Sequence, residues 1–357
     1  KMSVFAYISL MDVILKLIIV YLLYISPIDV LIFYAFLFLC VSILDRFIYS
    51  WYCHRHFEET KFRVVKDKSL YKEMTGFAGY NFLGVLATVL SNQGVSIILN
   101  IFGGVVVNAA RGISNQVLNA VSKFVNDFMT ALNPQITKTC AAGNTIESIS
   151  LCHKGAKFSF FLMLVFAVPL IIRAPQILEL WLKSYPDYSV QFVNLTLIYS
   201  MIVVLSNPLI TLVQATGKIK EYTYWVGGGR LLTLPLCYIL LKWGFNPYCA
   251  YYAMIFTEVL SLALRLAILK KILGISPWNY IKEVVVQIAI VTTISFSIAI
   301  ACDKILPQTF WGLLLFAVLS VTESIIIIFC LGLKKTERQS VMIVAKNKLS
   351  KLYRTKH

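Results

Sequence analysis

Ten apolar segments, each about twenty residues long, follow one another along this chain of 357 residues. A helix of that length spans the hydrocarbon core of a bilayer. Inside lipid every backbone N–H and C=O must find a partner within the protein, which leaves only helices and closed barrels. The alternating pattern of barrel strands is absent from the sequence. We therefore predict an all-α polytopic membrane bundle of about ten transmembrane helices.

The predicted spans are separated by short connections that contain most of the prolines and glycines. They are 2–25, 28–50, 78–102, 105–133, 155–173, 190–214, 222–242, 247–272, 283–305 and 309–333.

The composition agrees with a membrane protein. The chain is 59% hydrophobic and 14% charged, whereas an average soluble domain is about 45–50% apolar and about 25% charged. The net charge of +16 would suit nucleic acid, but the basic residues lie between apolar segments and form no basic patch interleaved with aromatic residues. Nucleic acid is therefore not an expected partner. The eight cysteines are scattered without a CxxC pair, which argues against a metal or disulfide framework.

Basic residues are concentrated in alternate connections, which predicts the orientation of the chain. The connections 53–76, 138–157, 218–220, 265–282 and 334–357 together hold 23 of the 33 Lys and Arg residues. The intervening connections hold only Arg173, Lys183, Lys242 and Lys304. By the positive-inside rule the first set is cytoplasmic, so both chain ends are predicted to be cytoplasmic.

Two consecutive spans carry polar residues at helical spacing. In 105–133 the polar residues recur at steps of mostly three and four and predict one wet helical face; they are Asn108, Arg111, Asn115, Asn119, Ser122, Asn126 and Asn133. The span 78–102 adds Asn81, Thr88, Asn92, Ser96 and Asn100. Polar residues also hold membrane helices together, but so many on neighbouring helices favour the lining of a water-filled cavity.

Two of the arginines within predicted spans are candidate cavity residues, Arg111 and Arg230. Arg111 has no acidic residue three or four positions away, and an unpaired arginine at membrane depth costs about 3 kcal/mol on insertion scales. It therefore requires water, a carboxylate on another helix or an anionic ligand. Arg230 follows three consecutive glycines, and both ligand contact and snorkelling to the interface fit it.

Three acidic residues within spans are candidates for ion coupling: Asp127, Glu258 and Glu323. A carboxylate at membrane depth can bind a proton or a cation during transport. A hydrogen bond between helices is the alternative role for Glu258 and Glu323, and an ion pair with Lys123 one turn away is the alternative for Asp127.

Three stretches resemble a known family. They are VNAARGISNQV at 107–117, ALNPQITKTCAAGN at 131–144 and LSNPLITLVQATGKIKEY at 205–222. The chain resembles the Wzx-like polysaccharide flippases of the multidrug/oligosaccharidyl-lipid/polysaccharide exporter superfamily. The resemblance implies a MATE-like exporter fold with two six-helix lobes around a central cavity. On that pattern about four helices of the first lobe would precede this chain.

The resemblance also implies a domain organisation. Residues 1–76 would form the end of the N-terminal lobe, with two helices and a cytoplasmic connector. Residues 77–275 would form the C-terminal six-helix lobe, and 276–357 two additional helices with a basic cytoplasmic tail.

In such exporters the seventh and eighth helices line the cavity, and the spans 78–102 and 105–133 match these two. By this resemblance, four residues of the first motif are predicted to line the cavity: Asn108, Arg111, Asn115 and Gln116. Together with the polar faces, the predicted substrate-cavity residues are Asn81, Asn92, Asn100, Asn108, Arg111, Asn115, Gln116, Asn119, Asn126 and Arg230.

The function that the resemblance implies is the flipping of undecaprenyl-diphosphate-linked oligosaccharide repeat units across the bacterial inner (cytoplasmic) membrane. Such repeat units build O-antigen, lipopolysaccharide or capsule, and alternating access would move them. The expected partners are the lipid-linked oligosaccharide, membrane lipids and the machinery that polymerises the polysaccharide. We expect a transporter and not an enzyme, with no cofactor, metal or catalytic residue, because flipping a lipid requires no covalent chemistry. No Walker motif occurs in the sequence, so ATP is not the evident energy source.

Two other classes remain open. A multidrug antiporter of the same superfamily would need an acidic, apolar site for cations, against which the basic Arg111 and the amide-rich faces weigh. A membrane glycan polymerase or ligase would be expected to carry a large outer loop with catalytic residues, whereas the predicted outer connections are short.

Overall fold

Helices account for nearly all of the residues placed in the structure, which is a computed structural model that describes residues 2–25, 29–60, 67–335, 337–339 and 342. No strand occurs among these residues. The helices are α1 (Met2–Leu22), α2 (Val30–His56), α3 (Lys68–Ala141), α4 (Thr145–Ile172), α5 (Ala174–Leu182), α6 (Ser189–Ala215), α7 (Lys220–Lys242), α8 (Cys249–Leu273), α9 (Pro277–Ile305) and α10 (Phe310–Gly332).

Length and hydropathy confirm the predicted fold class. Within the described residues, nine helices, all but α5, are long and apolar enough to cross a membrane. The protein is an all-α polytopic bundle. Ten predicted spans correspond to nine such helices, because two of the spans, 78–102 and 105–133, both lie within the 74 residues of α3.

Gly104 divides α3 into two helical halves, 68–103 and 105–141. Its φ of 68° and ψ of −166° lie in a region of backbone conformation that is essentially restricted to glycine. An unbroken helix of this length would extend about 110 Å, far beyond the roughly 30 Å of a hydrocarbon core. The break coincides with the predicted boundary between the two polar spans.

Short-range signals define several helix ends. The Asp29 carboxylate accepts hydrogen bonds from the backbone N–H groups of Leu31 and Ile32 at 2.8 and 3.3 Å, which caps α2. The Thr309 hydroxyl accepts from the N–H of Gly312 and caps α10 in the same way. Gly274, with a φ of 72°, ends α8.

The chain divides into two compact units, Lys1–Leu70 and Tyr71–His357. In the first unit α1 packs on α2, and the Lys16 ammonium pairs with Asp12 one turn away at 2.8 Å. The division lies within the predicted connector 53–76. Residues 61–66 of that connector and 343–357 of the predicted basic tail lie outside the described residues.

In the second unit α4 is the central helix. It packs against α6, α9 and α10, while α8 packs against α6 and α7. Buried side chains such as Phe161, Leu164, Leu197, Leu209 and Phe316 form one continuous apolar core between these helices. This core holds α7 and α8, which carry the charged residues of the candidate site, in fixed positions.

Three helices contain a π-helical turn, in which an extra residue is accommodated. The turns are Thr223–Gly227 in α7, Ile281–Val285 in α9 and Ile328–Gly332 in α10. Such turns frequently occur at functional sites, because they displace the side chains that follow. The first lies three residues before Arg230, and the second contains Glu283.

Replacing Gly104 with alanine should lower the free energy of unfolding by about 1–3 kcal/mol, because an L side chain is strained at this φ and ψ. Denaturant unfolding in detergent micelles measures the effect. Gly112→Ala is the matched control, since a Cβ there meets no atom within 4 Å and alanine is the better helix former. Equal stability of the two variants would contradict the assigned break.

Candidate functional site

A cavity of about 200 Å³ lies between the first half of α3 and helices α6, α7 and α8. Much of its wall is apolar, with Val85, Val89, Ile210 and Val226 among the lining residues. The polar groups that line it are Asn81, Thr88, Gln214, Tyr222, Thr223, Arg230 and Arg265. A concave site with a few convergent polar groups is typical of ligand binding.

Glu258 connects the charged residues of this site. Its Oε2 atom accepts a hydrogen bond from Arg230 Nη2 at 2.7 Å, and its Oε1 atom accepts from Arg265 Nη1 at 3.0 Å. The Ser206 hydroxyl donates to the same Oε1 atom at 3.2 Å. The Glu258 side chain is only 1% exposed, so one buried carboxylate holds two guanidinium groups. Such a pair is tolerated in low dielectric only when its geometry is good.

Arg265 is the most deeply buried of the cations at the site, with no exposed surface. Its Nε atom donates to the Tyr222 hydroxyl at 3.1 Å, and its Nη1 atom also donates to Ser206. Its Nη2 atom has no hydrogen-bond acceptor among the described residues. One strong donor of Arg265 is therefore left unsatisfied at the site.

Arg111 adds a third guanidinium group. Its Nη2 atom donates to the carbonyl oxygen of Asn92 at 3.1 Å, across the break in α3. The guanidinium lies over the ring of Tyr251 at 5.7 Å, and the Tyr251 hydroxyl is 3.1 Å from Ser114 Oγ. The Nε and Nη1 atoms of Arg111 have no acceptor in the described part of the chain.

The site therefore has an excess of buried positive charge. In the part of the chain that the structure describes, Glu258 is the one carboxylate within salt-bridge distance of any of the three arginines. Tyr199 lies within electrostatic range of all four charges. A buried donor without an acceptor costs about 1–3 kcal/mol, and more when it is charged. The arrangement is thus suited to receive acceptor atoms of an anion.

The predicted amide residues lie on the open face of α3. Asn81 borders the cavity, and its Oδ1 atom is 3.5 Å from Gln214 Nε2. Asn92 is exposed and also lines a small cavity together with Arg230 and Glu258. The other predicted amides are exposed and line neither cavity; they are Asn100, Asn108, Asn115, Gln116, Asn119 and Asn126. The structure therefore brings Asn81 and Asn92 to the arginine cluster and leaves the other amides outside it.

Arg111 does not share this exposed face, contrary to the prediction from its spacing. It is 4% exposed and lies in a buried stripe with Val107, Ala110 and Ser114. The aromatic ring of Tyr251 and the carbonyl of Asn92 draw the guanidinium inwards, because they offer cation–π and hydrogen-bond partners. Helical spacing alone shows which positions share a face. It does not show which of those side chains find partners elsewhere in the fold.

The three candidates for ion coupling occupy different environments. Glu258 lies in the arginine cluster. Asp127 is exposed on the open face of α3, and no ion pair joins it to Lys123 among the described residues. Both carboxylate oxygens of Glu323, on α10, are buried without a hydrogen-bond partner in the described part of the chain. The structure does not bring the three carboxylates into contact.

Arg265 was not among the predicted site residues. The predicted span 247–272 contains it, but it was counted with the basic residues of the connection 265–282. The structure places Arg265 inside α8, with Ser206 and Tyr222 as its partners. One signal was present in the sequence: Glu258 and Arg265 are seven residues apart, and residues at that separation lie on the same helical face.

Comparison of the chain with protein-family models, with curated proteins and with solved structures finds no match. Among the described residues, no group of three or more His, Cys, Asp or Glu side chains is arranged to hold a metal ion. The chemistry of the cavity is therefore the basis for assigning a function.

Removing the charge of Glu258 with Glu258→Gln should lower the free energy of unfolding by about 3–5 kcal/mol, because two buried guanidinium groups lose their counter-charge. Glu221→Gln is the matched control. Glu221 pairs with Lys271 at 2.9 Å, but both side chains are more than half exposed, and such pairs contribute at most about 1 kcal/mol. Denaturant titration in micelles measures the free energy of unfolding of both variants. Similar losses of stability in the two would show that Glu258 is not the central counter-charge.

Proposed function

We propose that this protein is a flippase of the multidrug/oligosaccharidyl-lipid/polysaccharide exporter type. Its substrate would be a diphosphate-linked oligosaccharide on an undecaprenyl lipid, moved across the bacterial inner membrane by alternating access. The resemblance of the stretches 107–117, 131–144 and 205–222 to Wzx-like flippases first suggests this assignment. The oligosaccharide would serve the synthesis of O-antigen, lipopolysaccharide or capsule.

The observation that supports the proposal most is the excess of positive charge. Arg111 and Arg265 are buried, the Arg230 side chain is 17% exposed, and among the described residues Glu258 is the one carboxylate within salt-bridge distance of any of them. Arg111 and Arg265 retain guanidinium N–H groups without acceptors among the described residues, and Arg230 lines the cavity itself. Guanidinium groups bind phosphate through charge-assisted, often bidentate hydrogen bonds. A diphosphate supplies both the negative charge and the acceptor oxygens that this cluster lacks.

The obstacle to flipping is the headgroup, since hydroxyls and phosphates lose hydrogen bonds with water when they enter hydrocarbon. The exposed amides of α3 provide donors and acceptors for sugar hydroxyls. The lipid tail can stay in the bilayer. Binding the headgroup in a polar cavity therefore replaces its hydration while the protein changes conformation.

Two alternative functions, a cation antiporter and a glycan polymerase or ligase, fit the structure less well. A cation antiporter would require an available carboxylate at the cavity, whereas Glu258 is held by both Arg230 and Arg265. A glycan polymerase or ligase would require catalytic residues aligned on a sugar. The fully described connections on the predicted outer side carry no long loop for such residues, since the longest of them, 183–188 and 243–248, have six residues each.

The decisive experiment is depletion of the full-length protein in its native cell, followed by an assay of which leaflet holds the lipid-linked oligosaccharide. Accumulation in the cytoplasmic leaflet is expected, with rescue by the wild-type protein. Arg230→Gln should reduce flipping at least about tenfold, because it removes a charge-assisted phosphate contact. Lys242→Gln, an exposed lysine beside Tyr238, is the control with the same charge change and should rescue.

Unchanged surface glycan after depletion, together with altered resistance to cationic compounds, would refute the flippase assignment in favour of the antiporter. Equal rescue by Arg230→Gln and Lys242→Gln would refute the role of the arginine cluster. Membrane abundance of each variant must be measured alongside, so that loss of protein is separated from loss of flipping.

Membrane potential should accelerate flipping of a diphosphate. An inside-negative potential of about 100 mV favours the outward movement of two negative charges by about 4–5 kcal/mol. Flipping in proteoliposomes, measured with the potential clamped at zero and at an inside-negative value under matched ion gradients, checks this. Equal rates would exclude a step driven by the potential.

A further inference from the structure

A second polar cavity, of about 410 Å³, lies away from the arginine cluster. Its walls are the first turns of α4, the π-helical turn of α9 and the segment that follows α10. It plays no part in the proposed transport site, and no residue of it is among the predicted site residues. Its lining is dominated by titratable groups, which is unusual for a packing defect between helices.

Two carboxylates of this cavity are already neutralised. Glu337 accepts from Lys157 Nζ at 2.7 Å and from the backbone N–H of Lys334 at 2.9 Å. Glu283 pairs with Lys334 Nζ at 3.1 Å and with His153 Nδ1 at 3.1 Å. Lys157 also donates to Gln287 at 3.2 Å. A cation would therefore find no available carboxylate here.

Two nitrogen groups that line this cavity lack an acidic or hydrogen-bond partner among the described residues: the Lys154 ammonium and the Nε2 atom of His153. Lys154 lines the cavity and is exposed, and it makes no ion pair within the described residues. His153 is 9% exposed, and its ring packs edge-on against Tyr280. A carboxylate only accepts, so Nδ1 donates to Glu283. The Nε2 atom is buried with no partner among the described residues.

The net charge of the cavity is positive, which favours the binding of an anion. Lys154, Lys157 and Lys334 face Glu283 and Glu337, which leaves one positive charge while His153 is neutral. Protonation of His153 adds a second positive charge and turns Nε2 into a donor. Lys154 and His153 both line this cavity, so both border the space that a small ligand would occupy.

We propose that this cavity binds a phosphate group, held by the Lys154 ammonium and by His153 Nε2. The group could belong to an anionic lipid headgroup or to free phosphate, since both present the same acceptor oxygens. Because His153 donates from Nε2 only when protonated, binding strengthens as the pH falls. Lys157, Lys334, Glu283, Glu337 and Tyr280 surround the imidazole and set the charge that it meets.

The purified protein in neutral detergent is titrated with two probes, inorganic phosphate and dihexanoyl phosphatidylglycerol, and binding is measured by calorimetry. Lys154→Gln should weaken binding about tenfold, as expected for a lost charge-assisted contact. Lys282→Gln is the matched control: Lys282 is exposed nearby and does not line the cavity, so its affinity should stay within about twofold.

The pH dependence is measured with the phosphatidylglycerol probe, whose phosphodiester keeps its charge. Binding should be at least about threefold tighter at about pH 5 than at about pH 8, and His153→Gln should abolish the difference. Near-ultraviolet circular dichroism confirms that the variant is folded, while the exposed Lys154→Gln tests the site without altering the buried contacts.

The two probes distinguish the source of the phosphate. Binding of the lipid alone assigns the cavity to a headgroup, and binding of both assigns it to free phosphate as well; either result supports the site when Lys154→Gln weakens it. Failure of both probes to bind, or equal weakening by Lys154→Gln and Lys282→Gln, overturns the proposal. Neither result depends on flipping, so the proposed function stands or falls separately.

Discussion

The candidate site depends on the hydrogen bonds that the buried carboxylate of Glu258 accepts. It joins Ser206 of α6, Arg230 of α7 and Arg265 of α8 at one point, and Arg230 extends the contact to Thr88 of α3 at 2.9 Å. Four helices are thus positioned by hydrogen bonds to one charged group or to its partner. In low dielectric these bonds are strong when complete and costly when incomplete.

The remaining positive charge gives the site its chemical character. A bundle could bury Glu258 with a single arginine, yet this one also buries Arg111 at 4% exposure and leaves donors of two arginines without acceptors in the described part of the chain. Unsatisfied charged donors reduce stability. The proposed anionic substrate would supply oxygen acceptors to these donors, and its binding would offset that cost.

Much of the fold could be predicted from the sequence, but the candidate site only in part. The apolar segments predicted ten spans, and Gly104 divides α3 where the sequence separates two of them. The amide-rich face was located because polar spacing is a local property. Arg265 and Lys157 lie within predicted spans but were counted with the basic residues of the adjoining connections, since a basic residue near the end of an apolar segment resembles a loop residue until its partner is known.

By itself, the sequence determined the class of protein and its helices, because lipid leaves the backbone few alternatives and a span needs about twenty apolar residues. Only the tertiary structure decided which charges neutralise one another. Arg230 and Glu258 are 28 residues apart, and Lys157 and Glu337 are 180 residues apart. These pairs form through the packing of distant helices, so neither helical period nor composition specifies them, and they decide which positive charges remain available to bind an anion.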